Sequence, residues 1–233
     1  MPQVEFVGLP AVGKTHLADA VAQQLSANTE GISVTTSSGI RADRTSVGTV
    51  SCVIRRLLQD PGRSLGDLRL IRATEQGRWR RVLRYWLYHL YVLDELRSAR
   101  ATGKLHLADQ GYLQHLWRIH LTAEESSRSD LSRWIDRVPL STRPDFVIFV
   151  EIDHRTRMER GEARGNEIDP SLFDPTHPEI QRDIVAYEDI VATTKATDID
   201  WIQVENTESG FSDNVTRLEK EITDRVSRTI VRS

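Results

Sequence analysis

The segment Gly8-Leu9-Pro10-Ala11-Val12-Gly13-Lys14-Thr15 constrains the fold more than any other part of the chain. It fits Gly-x-x-x-x-Gly-Lys-Ser/Thr, a spacing whose glycines let the backbone turn several N–H groups toward one anion. The apolar run Val4-Glu5-Phe6-Val7 before it reads as a short buried strand. After it, Leu17, Ala20, Val21, Gln24 and Leu25 recur at helical spacing over Thr15 to Ala27. Strand, glycine loop and helix in that order make a phosphate cradle, because the helix N-terminus adds partial positive charge. Gly8, Pro10, Ala11, Val12, Gly13, Lys14, Thr15 and His16 form the nucleotide-contacting set. Lys14 is placed to reach the β- and γ-phosphates, and the Thr15 hydroxyl to hold Mg²⁺.

With 233 residues the chain suits one large α/β domain, or one domain with a lid. At 39% hydrophobic and 28% charged it can bury a core. A net charge of -3 argues against a general nucleic-acid binder. Cys52 is the one cysteine, so no disulfide framework exists and a reducing, cytoplasmic compartment is expected. The N-terminus runs straight into the strand and loop, which predicts no signal peptide. The most apolar stretch, Val82 to Leu93, contains Arg84 and His89 and is too short to span a membrane.

Further strands are predicted at Gly31 to Thr36, Leu105 to Ala108, Phe146 to Ile152 and Trp201 to Val204. Helices are predicted over Val50 to Leu58, stopped by Asp60-Pro61-Gly62, then over Leu65 to Ala73, Gly111 to Leu121, Glu124 to Arg137, Arg155 to Arg164, Glu179 to Thr194 and Asn214 to Ile230. The longest helix carries Trp79, Val82, Leu83, Trp86, Leu87, Leu90 and Leu93 at steps of three and four, with Gly103 as its cap. Its aromatics serve core packing or a contact surface, including a homodimer face. Asn166 to Pro178 reads as a loop. Strands alternating with helices predict a three-layer α/β fold, a parallel sheet with helices on both faces, in one domain over 1–233. Ligands in such sheets bind beyond the carboxyl ends of the strands, where the glycine loop and Asp109 both lie.

Asp109, at the end of an apolar strand, is placed like a Walker B carboxylate that orders the Mg²⁺ shell or the acceptor hydroxyl; a helix N-cap is its alternative role. Arg157, Arg160 and Arg164 fall on nearby faces of one helix. With Glu159 and Glu162 between them they make a self-paired solvated helix, or an arginine lid over about 155–178 that brings charge to a transferring phosphoryl group. Arg84, in the cluster Arg78, Arg80, Arg81 and Arg84, and Arg41 after the second strand are candidate substrate contacts. Asn206, after the last strand, is a candidate edge for the nucleotide base. The histidines show no metal-ligand spacing.

These blocks together resemble the thymidylate kinase-like branch of the nucleotide and nucleoside kinases. The loop comes first. Thr102-Gly103-Lys104-Leu105-His106-Leu107-Ala108-Asp109 is similar to the family's Gly-Lys, apolar strand, Asp-Arg segment. Pro144-Asp145-Phe146 through Asp153, with Glu159-Arg160 and Ala163-Arg164-Gly165, is similar to its Pro-Asp strand and lid helix. Tyr187-Glu188-Asp189-Ile190 and the last strand and helix follow its C-terminal layout. Three departures lie on the acceptor side: Gln110 stands where the family has Arg, Thr35-Thr36-Ser37-Ser38-Gly39 replaces an acidic glycine-rich loop, and the long helix is longer and more aromatic.

The resemblance implies a P-loop NTPase fold with an Arg-bearing lid and a kinase that uses ATP and Mg²⁺ on a small-molecule phosphoryl acceptor. A nucleoside monophosphate is the leading acceptor, and a nucleoside, sugar or other small alcohol follows closely. Lys14, Asp109, Arg160, Arg164 and Arg157 would carry the catalysis, Thr15 and Asp109 the metal, and Arg41, Arg84 and Gln110 the acceptor. The rival class is an ATPase or GTPase switch that controls partner binding; no Asn-Lys-x-Asp base motif accompanies the loop.

Overall fold

The computed structural model describes residues 2–29, 33–36, 46–74, 76–123, 131–138, 142–163 and 177–232. In chain order its elements are β1 (Gln3–Val7), α1 (Lys14–Asn28), β2 (Val34–Thr36), α2 (Ser46–Gln59), α3 (Pro61–Ala73), α4 (Trp79–Ala101), β3 (Leu105–Ala108), α5 (Tyr112–Leu121), α6 (Leu131–Arg137), β4 (Phe146–Glu151), α7 (His154–Ala163), α8 (Pro178–Lys195), β5 (Asp200–Glu205) and α9 (Phe211–Arg232). Arg41, Arg164, Gly39 and most of the expected lid loop lie outside the described residues.

The five strands pair in the order β2-β3-β1-β4-β5, every pair parallel. Strand alternation divides the core in two. Val4 and Phe6, Leu105 and Leu107, and Phe146, Ile148 and Val150 face α1 and α9. Val7, Ala108, Val147 and Phe149 face the layer of α4, α5, α6 and α8. The three-layer expectation is met, and the near-continuous apolar runs of β1, β3 and β4 are explained by cover on both sides. Fully buried residues such as Phe6, Phe149, Leu17 and Leu113 each contribute roughly 1.5–3 kcal/mol of transfer free energy.

The helix expected from Leu65 begins at Pro61. Asp60-Pro61-Gly62 starts a helix as well as ending one. Asp60 caps α3 by accepting from Arg63 N at 3.0 Å, and Pro61, which has no N–H to lose, occupies its first turn. The long aromatic helix α4 is covered along its C-terminal half, where His89 to Asp94 are all buried. His89 to Asp94 are core packing. Trp86 Nε1 donates to Ser64 O at 2.7 Å, tying α4 to α3. Gly103 closes α4 at φ 70°.

The strand order reverses at β1, which has β3 on one side and β4 on the other. A crevice opens at such a reversal, beyond the carboxyl ends of the strands. The loop after β1 lies there between Asp109, after β3, and Glu151, at the end of β4.

Candidate active site

Positive φ at Ala11 (66°) and Gly13 (86°) turns the loop around an inward concavity. Ala11 holds that conformation with a Cβ attached, at a cost of about 1 kcal/mol. Gly8 is required by space, since a Cβ there would collide with the Val150 carbonyl oxygen. Gly13 is the N-cap of α1, with no side-chain cap and no acid in the first turn. The positive end of that helix therefore faces the concavity with no carboxylate of its own first turn against it.

Two expected residues meet here. Thr15 Oγ1 donates to Asp109 Oδ2 at 2.6 Å, and Asp109 is 3% exposed. A hydroxyl and a carboxylate side by side are hard oxygen donors of the kind Mg²⁺ takes together with phosphate oxygens and water, so the donor set fits that ion. Lys14 Nζ donates to Gly8 O at 2.7 Å and Leu9 O at 2.9 Å. Beside them lies a cavity of about 190 Å³, walled by Lys14, Thr15 and Asp109 on one side and by Gln110, Gln114, Trp117 and Arg118 on the other.

Asn206 and Arg160 support the loop from outside. Asn206 is 2% exposed; its Nδ2 donates to Val12 O at 2.8 Å and its backbone N to Glu151 O at 2.8 Å. Asn206, expected at the edge of the nucleotide base, is thus fastened under the loop through its Nδ2, while its Oδ1 is buried with no hydrogen-bond partner among the described residues. Arg160 donates through Nη2 to Asn206 O at 3.2 Å and through Nη1 to Val12 O at 3.5 Å. Its guanidinium stands beside Gly13 and, like Arg157, takes no part in the wall around Lys14, Thr15 and Asp109. His16 stacks on Phe211 with ring centroids 4.7 Å apart and planes 15° from parallel, a flat surface at the edge of the loop.

Other expected residues are not brought to this cavity. Arg157 is 4% exposed, with Nη2 3.2 Å from His154 Nδ1. Burial lowers its pKa, with Asp183 opposing. Together with Leu9, Val12, Glu151 and Tyr187 it lines a second cavity of about 270 Å³, and it takes no part in the wall around Lys14, Thr15 and Asp109. Arg84 is exposed, its guanidinium 5.7 Å from the Tyr85 ring centroid, in neither cavity.

Sequence reasoning missed Glu5, Gln114, Trp117 and Arg118. A signal for Glu5 existed, a carboxylate inside an otherwise apolar strand. For the other three there was only their place on a helix following Asp109. Among the described residues no group of three or more His, Cys, Asp or Glu side chains is placed to hold a metal ion, and no helix is long and apolar enough to cross a membrane.

No protein-family model matches the chain. No curated protein matches it either. Solved structures do. Deoxyadenosine kinase from M. mycoides with bound dCTP matches with a TM-score of 0.50 and 11% identity, over 95% of this chain and 99% of that one. The same enzyme with bound dATP matches at 0.51 and 12%, and with the products dCMP and a flexible dCDP at 0.51 and 10%, each over the same shares of the two chains. At these identities the likeness establishes the fold. The five-stranded parallel sheet wrapped by helices is the P-loop kinase α/β fold.

Proposed function

We propose that the protein transfers the γ-phosphoryl group of Mg-ATP to a hydroxyl of a nucleoside-type acceptor. The observation that carries this reading is the 2.6 Å contact between Thr15 and Asp109, made next to Lys14 and opening onto a walled cavity. The shared fold with a deoxyadenosine kinase supports it.

In this reading the loop amides and Lys14 hold the β- and γ-phosphates, and Thr15 and Asp109 hold Mg²⁺, which when bound neutralises charge on the phosphate oxygens. The acceptor occupies the cavity beside Gln110, Gln114 and Trp117. Its hydroxyl oxygen bonds to the γ-phosphorus as the bond to the β–γ bridging oxygen breaks, its proton passes to an oxygen of the transferred phosphoryl group, and ADP leaves. Arg160, beside Gly13, reaches the charge in flight only by releasing Val12 O and Asn206 O, and the chain over 1–233 acts as one kinase domain. Arg118 favours a second reading of the acceptor. A second cation at a cavity that already contains Lys14 suits a substrate bearing its own phosphate, a nucleoside monophosphate.

The test incubates wild type and Lys14→Ala with Mg-ATP and pooled nucleosides, deoxynucleosides, nucleoside monophosphates and sugars, and reads mass gain of one phosphoryl group. A product formed at least about 100-fold more slowly by Lys14→Ala is expected, the scale of losing one preorganised donor to a charged transition state. Its mass names the acceptor. Slow ATP hydrolysis with no acceptor product would overturn the reading in favour of a nucleotide-driven switch.

A further inference from the structure

We propose that Glu5 and Gln114 are positioning residues that fasten the phosphate loop to the helix walling the acceptor cavity; this rests on the kinase reading above. β1 points Glu5 into the layer under α4 and α5, where it is 2% exposed, beside Ala108 of β3 and Val147 of β4. An apolar residue would fill that place without a desolvation cost. The carboxylate instead occupies the start of α5. Its Oε1 accepts from Gln114 N at 2.8 Å, and the backbone N–H groups of Leu113 and Tyr112 also point to it. The N-cap residue Gly111 provides no side-chain cap. A Cβ at 111 would lie 2.5 Å from Glu5 Cδ and 2.7 Å from Oε2, so only glycine lets the carboxylate approach. Glu5 thus caps a helix more than 100 residues further along the chain.

Gln114 completes the tie. Its backbone is held by Glu5, and its side-chain Oε1 accepts from Gly8 N at 3.2 Å. The first glycine of the loop is therefore bonded to α5, the same helix that presents Gln114, Trp117 and Arg118 to the cavity. Asp109-Gln110-Gly111 spans the short gap between β3 and this fixed helix start. The distance between the phosphate side and the acceptor side is set by two hydrogen bonds in series. Burial keeps the Glu5 carboxyl up at about 7 despite three amide donors.

The experiment compares Gln114→Leu, Glu5→Leu, Glu5→Gln and the double variant Glu5→Leu/Gln114→Leu with wild type. It measures kcat, acceptor KM, ADP affinity and amide exchange at Gly8. Gln114→Leu and Glu5→Leu are each expected to lower kcat about tenfold or more while ADP affinity changes less than about threefold, as misalignment of reactants does. Gly8 exchange should accelerate in Gln114→Leu. Glu5→Gln keeps an acceptor oxygen and should recover most of the rate. The double variant should lose little more than the worse single one. Should Glu5→Leu fail to fold, Gln114→Leu carries the test, since it leaves the Gln114 backbone on Glu5. An active wild type with unchanged kcat and Gly8 exchange in Gln114→Leu, or multiplicative losses in the double variant, overturns the tie alone. A wild type that phosphorylates no acceptor overturns the kinase reading and the positioning role with it.

Discussion

Burial pushes the Glu5 carboxyl from an ordinary 4.5 up to about 7, against three amide N–H groups that pull it down. The folded chain thus holds a proton that the unfolded chain has already released. The associated stability is complete below about pH 4.5 and lost as pH rises through 7, roughly 3 kcal/mol in all. Glu5→Gln stays neutral throughout. Denaturant melts of both proteins from pH 4.5 to 8 should show stability shifting in favour of the Gln variant by about that amount. A constant difference across the range would show that Glu5 does not titrate on folding. Buried His106 gives the opposite slope, because its ring is held neutral down to about pH 4 and its contribution is lost as pH falls from 6.5 toward 4. Both proteins carry it, so it cancels in the comparison.

The loop and the start of α1 act as one element, and Gly13 and Gly103 separate its two requirements. Both have positive φ, 86° and 70°. A Cβ at 13 would meet Asn206 Nδ2 at 2.6 Å, while one at 103 would meet nothing within 4 Å. Gly103→Ala should cost only the left-handed backbone, about 1–2 kcal/mol, and leave ADP affinity unchanged. Gly13→Ala should cost the same and also push Asn206 off Val12, weakening ADP at least tenfold by calorimetry. Equal affinities in the two variants would mean that Asn206 does not hold the loop. This contrast also shows where the sequence was readable. The glycine spacing, the apolar run before it and the helical repeat after it are local signals, and they placed β1, the loop and α1; Asp109 was singled out by its place at the end of its own apolar strand. Asp60-Pro61 was ambiguous, for the pair that stops one helix can begin the next. Asn206 and Gln114 could not be read. Their partners Val12 and Gly8 lie 194 and 106 positions away, and polar residues near strand ends carry no mark of which carbonyl or amide they will meet.

Across the whole molecule the same separation has a thermodynamic side. The loop is held by Gln114 on α5, Arg160 on α7 and Asn206 after β5, so a nucleotide bound as proposed would touch a surface that only the assembled sheet provides. Leu218 on α9 is fully buried against the opposite face. Leu218→Ala should cost about 2–5 kcal/mol. ADP at 100 times its dissociation constant should return about 2.7 kcal/mol, since the ligand binds folded chains alone. Thermal melts with and without ADP test both numbers; a melting point that ADP does not raise would show that the loop binds before the sheet is complete. If the loop binds ADP as proposed, nucleotide becomes a thermodynamic chaperone of this chain: the adenylate pool would set what fraction of a weakened variant escapes proteolysis, independently of turnover.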